Sequence, residues 1–372
     1  MIPPGHPGPP RPPWDASRKT MTKLYHFDLK DLAGIDRRLE IWAGDVLDSG
    51  AGFADLLVIS AFPGDYIPTP TSVVGGLARV GVSVAREALA KHSDWRETWQ
   101  CWVSQPIQGL RNVGRLICFE HGANRQPDAV VGNVFRSVRE HLDTVNTAAG
   151  TLRIPLLATG DQGFDRHIMF RRIVEQAILH LKAGLEVGVI QVFSHARSGD
   201  DVVRCAGLLV EAGLAYAETR HDWQGVEPNF RNPEFDVFCS YRHQDHVSID
   251  ALLRTMRDRR PGLRCFVDRE SLNPGACWKV GILSAMARCR HSLCFITDTY
   301  PESPECMDEF HSGLLWSRVR SGYLIPVLQL TRKTMNEMPE SIRRRHCVTS
   351  IEGTEALAES VLAVIGNPHF AS

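Results

Sequence analysis

Five short stretches of the 372-residue chain combine side chains and backbone shapes suited to anion and charge chemistry. The first is the apolar run Phe235–Cys239, which ends in Ser240, Tyr241 and Arg242. A guanidinium there can meet a phosphate as a two-pronged donor. The second runs from Phe266 through Asp268 to Asn273, Pro274 and Gly275, followed by Trp278, an indole that can stack on a ring or seal a core. The third, Ser303 to Phe310, opens a helix and carries Glu309 in its early turns. On residue type alone that carboxylate suits the positive end of a helix dipole or a crevice needing an anion. The fourth ends a strand at Asp45. The fifth is the loop Thr159, Gly160, Asp161, Gln162, Gly163, Phe164 before a helix. Its glycines permit close backbone approach, and a helix N-terminus can receive a diphosphate. His243, Gln244 and Asp245 read as loop polar groups rather than metal ligands, and no nucleophile elbow, phosphate-binding lysine loop or metal tetrad is present.

These stretches must be positioned by regular elements. From about Leu24 to Tyr216, apolar runs alternate with helical patterns. Strands are expected at Leu39–Ala43, Asp55–Ser60, Trp99–Val103, Arg115–Phe119, Arg153–Ala158 and Val187–Phe193. Helices are expected at Gly75–Ala90, Ala129–Asn146, His167–Lys182 and Asp200–Ala212. In the third helix Phe170, Ile173, Val174, Ala177, Ile178 and Leu181 share one face. Residues 217–232 are polar, aperiodic and read as a linker. A second unit follows: strands at Phe235–Ser240, Leu263–Val267, Leu293–Thr297 and Tyr323–Leu328, with helices at Val247–Arg259, Trp278–Arg288, Glu305–Ser317 and Glu355–Ile365. Strands separated by helices predict two α/β domains, each a mainly parallel sheet covered by helices. In such open sheets ligands bind beyond the carboxyl ends of the strands. The first three stretches therefore converge on one crevice holding an arginine, a Pro-Gly loop, an indole and a carboxylate.

Composition sets the outer bounds. Hydrophobic residues make up 43 % and charged residues 23 %, an ordinary globular balance. A net charge of −1 implies no global pull toward nucleic acid or anionic membrane. The ten cysteines form no C-x-x-C pair, and several lie in apolar runs, which predicts reduced thiols and a cytoplasmic setting. Residues 1–23 open with a proline-rich tract that reads as a solvated tail rather than a secretory signal. No apolar run is long enough for a transmembrane helix.

The segments Asp236–Arg242, Asp268 to Trp278 and Ser303–Glu309 resemble the Toll/interleukin-1 receptor (TIR) domain in order and spacing, across residues 233–366 of a domain read as 233–372. The resemblance implies a flavodoxin-like fold and, for members that cleave NAD+, a catalytic glutamate at the position of Glu309. It implies substrate contacts near Ser240, Tyr241, Arg242, Asp268 and Trp278, and an assembly loop at Asn273, Pro274 and Gly275. Products would be nicotinamide and ADP-ribose or a cyclic derivative, with NAD+ as substrate and no further cofactor. Other members are non-enzymatic adaptors acting through TIR–TIR contacts. Glu305 stands where the motif often carries an aromatic residue.

Residues 38–195, within an N-terminal domain read as 24–216, look like a macro domain, an ADP-ribose-binding α/β fold. The resemblance rests on Ile41–Val46 and Pro155–Phe164. It implies an N-terminal ligand site at Asp45, Thr159, Gly160, Gly163 and Phe164. The asparagine-rich turn of that family is replaced here by Ala61-Phe62-Pro63-Gly64-Asp65-Tyr66. The expectation is an NAD+-cleaving TIR domain under an N-terminal sensing or scaffold domain, self-associating through its TIR domains.

Overall fold

Runs of β-branched and aromatic residues build two sheets. The computed structural model describes residues 21–121, 126–160, 162–222, 232–267, 278–349 and 353–366. The first sheet comprises β1 (Thr22–Lys30), β2 (Asp36–Ala43), β3 (Ala54–Ala61), β4 (Ser93–Trp95), β5 (Cys101–Val103), β6 (Val113–Glu120), β7 (Ala149–Pro155) and β8 (Val187–Ser194). Their spatial order is β1-β2-β8-β7-β3-β6-β5-β4. The five strands from β2 to β6 in that order are parallel, and β1, β5 and β4 add antiparallel edges.

Around it lie α1 (Val73–Arg79), α2 (Val84–Leu89), α3 (Arg96–Trp99), α4 (Pro127–Val145), α5 (Arg166–Lys182), α6 (Gly199–Ala206) and α7 (Leu209–Asp222). The period of two in each strand sorts the core into two layers. Leu56 and Val58 of β3 pack under α4, α5 and α7, whereas Leu57 and Ile59 pack under α1 and α2. Helix ends follow local chemistry. Pro127 opens α4, which stops at Asn146 in the left-handed region, φ 51°. The Asp165 side chain caps α5 by accepting from the Ile168 amide at 2.9 Å.

Several boundaries depart from expectation. The helix expected over Gly75–Ala90 is two, α1 and α2, because Gly81 turns the chain at φ 86°. The stretch Asp200–Ala212 is likewise split near Gly207 between α6 and α7. Trp99 ends a short helix instead of opening a strand, and Gln100 turns the backbone at φ 55° into β5. Ordered elements pass both expected bounds of this domain: β1 begins at Thr22 and α7 reaches Asp222, inside the stretch read as linker. The tail before residue 21, and 223–231 of the linker, lie outside the described residues.

The second sheet is wholly parallel, in the order β10-β9-β11-β12, from β9 (Phe235–Ser240), β10 (Cys265–Val267), β11 (Cys289–Thr297) and β12 (Leu324–Gln329). Its helices are α8 (His246–Arg259), α9 (Trp278–Ala287), α10 (Pro304–Val319), α11 (Glu340–Arg343) and α12 (Thr354–Ile365). Val237, Cys239, Leu293 and Phe295 face α8 and α12, whereas Phe238, Cys294 and Ile296 face α9 and α10. The chain is thus a mixed α/β protein with two mainly parallel sheets.

The two sheets share cores. Ala183 of the first half is buried with Leu315 and Trp316 of α10, and Trp99 with Met307, Phe310 and Ile342. Helix α4 lies against α10 and α11.

Candidate functional site

The chemistry at Glu309 starts with the cap of α10. Ser303 accepts from the Cys306 amide at 3.3 Å, and Pro304 fills the first helical position, where no amide is needed. One turn on, Glu309 is only 8 % exposed, so its carboxylate is held largely out of water. Beneath it runs a buried hydroxyl chain. Tyr300 donates to the Cys306 carbonyl at 3.0 Å, and Ser240 stands 2.6 Å from the Tyr300 oxygen. With the phenol proton committed to Cys306, Ser240 is the donor to Tyr300. Burial, with Cys294, Cys306 and Glu309 nearby, pushes the phenol well above its ordinary pKa, so the chain stays protonated.

Of the residues expected around Glu309, the described ones take different surroundings. Ser240 is bonded to Tyr300, which leads to the Cys306 carbonyl, but it is 1 % exposed and belongs to the core. Tyr241 packs toward the core on the α8 and α12 side of the sheet. Arg242 is engaged on the rim, donating to the Thr299 carbonyl at 2.8 Å and to Glu302 at 2.6 Å. Asp268, Asn273, Pro274 and Gly275 lie outside the described residues, as does the side chain of Trp278, whose backbone opens α9. Glu305 shares a small cavity with Glu309, Asp308 and Ser312, walled on the same side by Ile282 and Leu283.

The opposite wall of that cavity was not legible in the sequence. It comes from the N-terminal domain: Arg139 on α4, and Leu179, His180 and Ala183 at the end of α5. Arg139 donates to the Ala183 carbonyl at 3.4 Å, placing a cation at a helix C-terminus. Arg136, one turn earlier, grips Asp308 with two bonds, Nε to Oδ1 at 3.2 Å and Nη2 to Oδ2 at 3.1 Å. Further along α4, Glu140 accepts the Ser341 amide at 3.0 Å and stands 3.5 Å from His311 Nε2. Burial alone would raise the Glu140 pKa, but His311 and Ser341 together hold it below the ordinary carboxylate value.

A second, larger site opens in the N-terminal domain. A cleft of about 840 Å³ lies at the carboxyl ends of β2, β3, β7 and β8. That volume falls in the range of small-molecule sites, roughly 300–1,000 Å³. Asp45, Thr159 and Gly160 are among its lining residues. Asp45 accepts from the Leu47 amide at 2.9 Å and is exposed at the mouth. Gly163 and Phe164 are set back. Gly163 is needed for its positive φ of 77°, not for close approach, and the Phe164 ring packs 5.0 Å from His121. Arg79, Arg166 and Arg197 add cationic groups to the lining, against Asp65 and Asp201.

Two supports of this cleft lie far apart in sequence. Arg153, fully buried on β7, donates to the Val46 carbonyl at 3.1 Å and the Gly52 carbonyl at 3.0 Å, fixing the loop after Asp45. Glu120 pins the Ala61–Tyr66 turn, accepting from Tyr66, from the Trp102 indole at 2.8 Å and from the Gly64 amide at 3.2 Å. A charged residue inside an apolar strand was the available signal for Arg153. Among the described residues no cluster of three His, Cys, Asp or Glu suits a metal ion, and no helix is long and apolar enough to cross a membrane.

Residues 237–361, about a third of the chain, match the family model of the TIR domain. No curated protein matches the chain. Among solved structures, the chain is similar to the Oceanobacillus iheyensis macrodomain solved with ADP. The identity is 16 % over 54 % of this chain and 98 % of that one, with a TM-score of 0.40. A Trypanosoma brucei macrodomain in complex with ADP is 16 % identical over 46 % of this chain and 68 % of its own, TM-score 0.35. A metazoan TIR-STING receptor from C. gigas in complex with 2',3'-cGAMP is 18 % identical over 35 % of this chain and 40 % of its own, TM-score 0.29.

Proposed function

We propose that the TIR domain cleaves NAD+ at the bond between ribose C1′ and the nicotinamide nitrogen, under control of the N-terminal domain. The observation that carries this reading is Glu309: a carboxylate 8 % exposed, on the first turns of a capped helix beyond a parallel sheet, at the motif position of NAD+-cleaving TIR domains. When the C–N bond breaks, its electron pair neutralises the pyridinium, so nicotinamide leaves without an acid. The ribose becomes an oxocarbenium-like cation. An anion held in a low-dielectric crevice stabilises that cation far better than one in water. Capture by water yields ADP-ribose and a proton; capture by an adenine nitrogen yields a cyclic product. The N-terminal cleft, with its arginines and the Gly160 loop, would take an ADP-ribose-like nucleotide. The cytoplasm is the proposed setting, in keeping with nine unpaired thiols among the described residues.

A second reading, a non-enzymatic adaptor acting through TIR–TIR contacts, is favoured by two observations. Ser240 is in the core, and Arg242 is already paired with Glu302. The test is the product profile after incubating concentrated full-length protein with NAD+. Nicotinamide with ADP-ribose or a cyclic isomer supports cleavage. Intact NAD+ at every protein concentration, in the wild type and also once the N-terminal domain is released from Glu309, with self-association retained, supports the adaptor.

A further inference from the structure

The cavity at Glu309 measures about 30 Å³. A buried water needs roughly 10–15 Å³, so the space admits a water or two and excludes a nicotinamide riboside. Part of the wall that makes the space so small belongs to the other domain. Arg139, Leu179 and Ala183 close the side that faces Glu309. The closure is anchored beside the carboxylate itself. Asp308, the preceding residue, is gripped by Arg136, whose side chain is 5 % exposed and whose remaining Nη1 donates to Asn133 at 3.1 Å. Gly184 seats directly on Leu315: a Cβ there would stand 2.0 Å from its Cδ2. Trp99 fills the far end of the same interface.

We infer that the N-terminal domain is an inhibitory cap on the Glu309 crevice, latched by Arg136 on Asp308, and that NAD+ enters only when the two domains part. This inference rests on the reading of Glu309 given above. An ion pair buried in an interface adds little net stability compared with apolar packing, yet breaking one partner is strongly penalised. Such a pair fixes the docked register, and a rearrangement of α4 that withdraws Arg136 would release it.

The test reads access and activity separately. Full-length protein is treated with a water-soluble carbodiimide and glycine ethyl ester, and modification at Glu309 is measured by peptide mass spectrometry. The variants are Arg136→Glu, which sets like charges against each other, and the milder Arg136→Gln, which keeps α4 intact should the reversal fail to fold. The cap predicts little modification in the wild type and at least a tenfold rise in a folded variant. Equal modification in the wild type and both variants would overturn it. Nicotinamide release should rise at least tenfold in parallel and vanish when Glu309→Gln is added. A rise in modification with no NAD+ cleavage in any variant would leave the occlusion standing and remove the NAD+ reading. A rise in modification with cleavage unchanged from an active wild type would refute inhibition by the cap.

Discussion

At the scale of single residues, Glu309 combines burial with an anchored helix turn. That pairing suits charge stabilisation better than proton transfer, because nicotinamide leaves neutral without a proton and the positive charge passes to the ribose. Glu309→Gln keeps the shape of the side chain and removes its charge. Turnover should fall by roughly 10²–10³-fold, the scale of one preorganised electrostatic group, with the thermal midpoint little changed. Nicotinamide release at near wild-type rate would remove Glu309 from the catalytic role. Ser240 belongs to the support beneath it, since its hydroxyl ends in the Tyr300 chain and meets no solvent. Arg242, in turn, reaches a phosphate only by leaving Glu302.

At the scale of elements, α4 has two tasks, to cover one face of the first sheet and to meet α10 and α11. His141, on its buried side, shows the cost of that position. Burial first, then Arg115 and His92, push its pKa down from 6.5 to about 4. The unfolded chain therefore takes up this proton at higher pH than the folded one. The associated stability is complete above pH 6.5 and is lost as pH falls toward 4, up to about 3 kcal/mol at 1.36 kcal/mol per unit. His141→Asn should flatten the loss of stability between pH 7 and 5 in denaturant titrations. An unchanged pH slope would mean that His141 is not desolvated. The loop before α5 offers a second measurement. Gly160 lines the cleft with an ordinary φ and open space around its Cα, whereas any side chain at Gly163 would strain a φ of 77°. A bound nucleotide at a hundredfold excess over its Kd should stabilise the fold by about 2.7 kcal/mol. Gly160→Val should erase the thermal shift given by ADP-ribose while leaving the midpoint without ligand in place. Absence of a shift in the wild type with ADP-ribose, cyclic ADP-ribose and related nucleotides would leave this domain a scaffold.

At the scale of the molecule, the docked arrangement packs the two sheets against each other, because apolar residues of each complete a core of the other. Domain pairs move freely unless their interface is large and hydrophobic; here Trp99, 2 % exposed, sits among Met307, Phe310, Met338 and Ile342 of the TIR domain. Wild-type protein should therefore unfold in a single calorimetric transition. Trp99→Ala should cost about 3–5 kcal/mol, the usual scale for removing a buried large aromatic, and divide that transition in two. A single transition shifted by less than a degree would show that the contact does not couple the domains.

The chain order of its strands and helices, the parallel sheets and the TIR motifs were readable from sequence because they depend on local period and spacing. Phe235–Ser240 was placed to the residue, since an apolar run bounded by polar corners leaves no alternative register. Asp45, Thr159 and Gly160 were readable as cleft residues for the same reason: each ends a strand or opens a helix turn. Other features depended on partners distant in the chain. The break at Gly81 depends on a positive φ that composition does not announce. The edge strand β1 is mostly exposed and was hidden by the weak apolar contrast this leaves. Arg153 reaches backbone carbonyls about a hundred positions earlier, and Arg136 meets Asp308 172 positions later. Sequence spacing carries one domain's own crevice, with its strand ends and its glutamate. Only tertiary packing decides that the crevice at Glu309 has its second wall on the other domain, because that wall is made by helix faces whose local pattern says merely that they are buried.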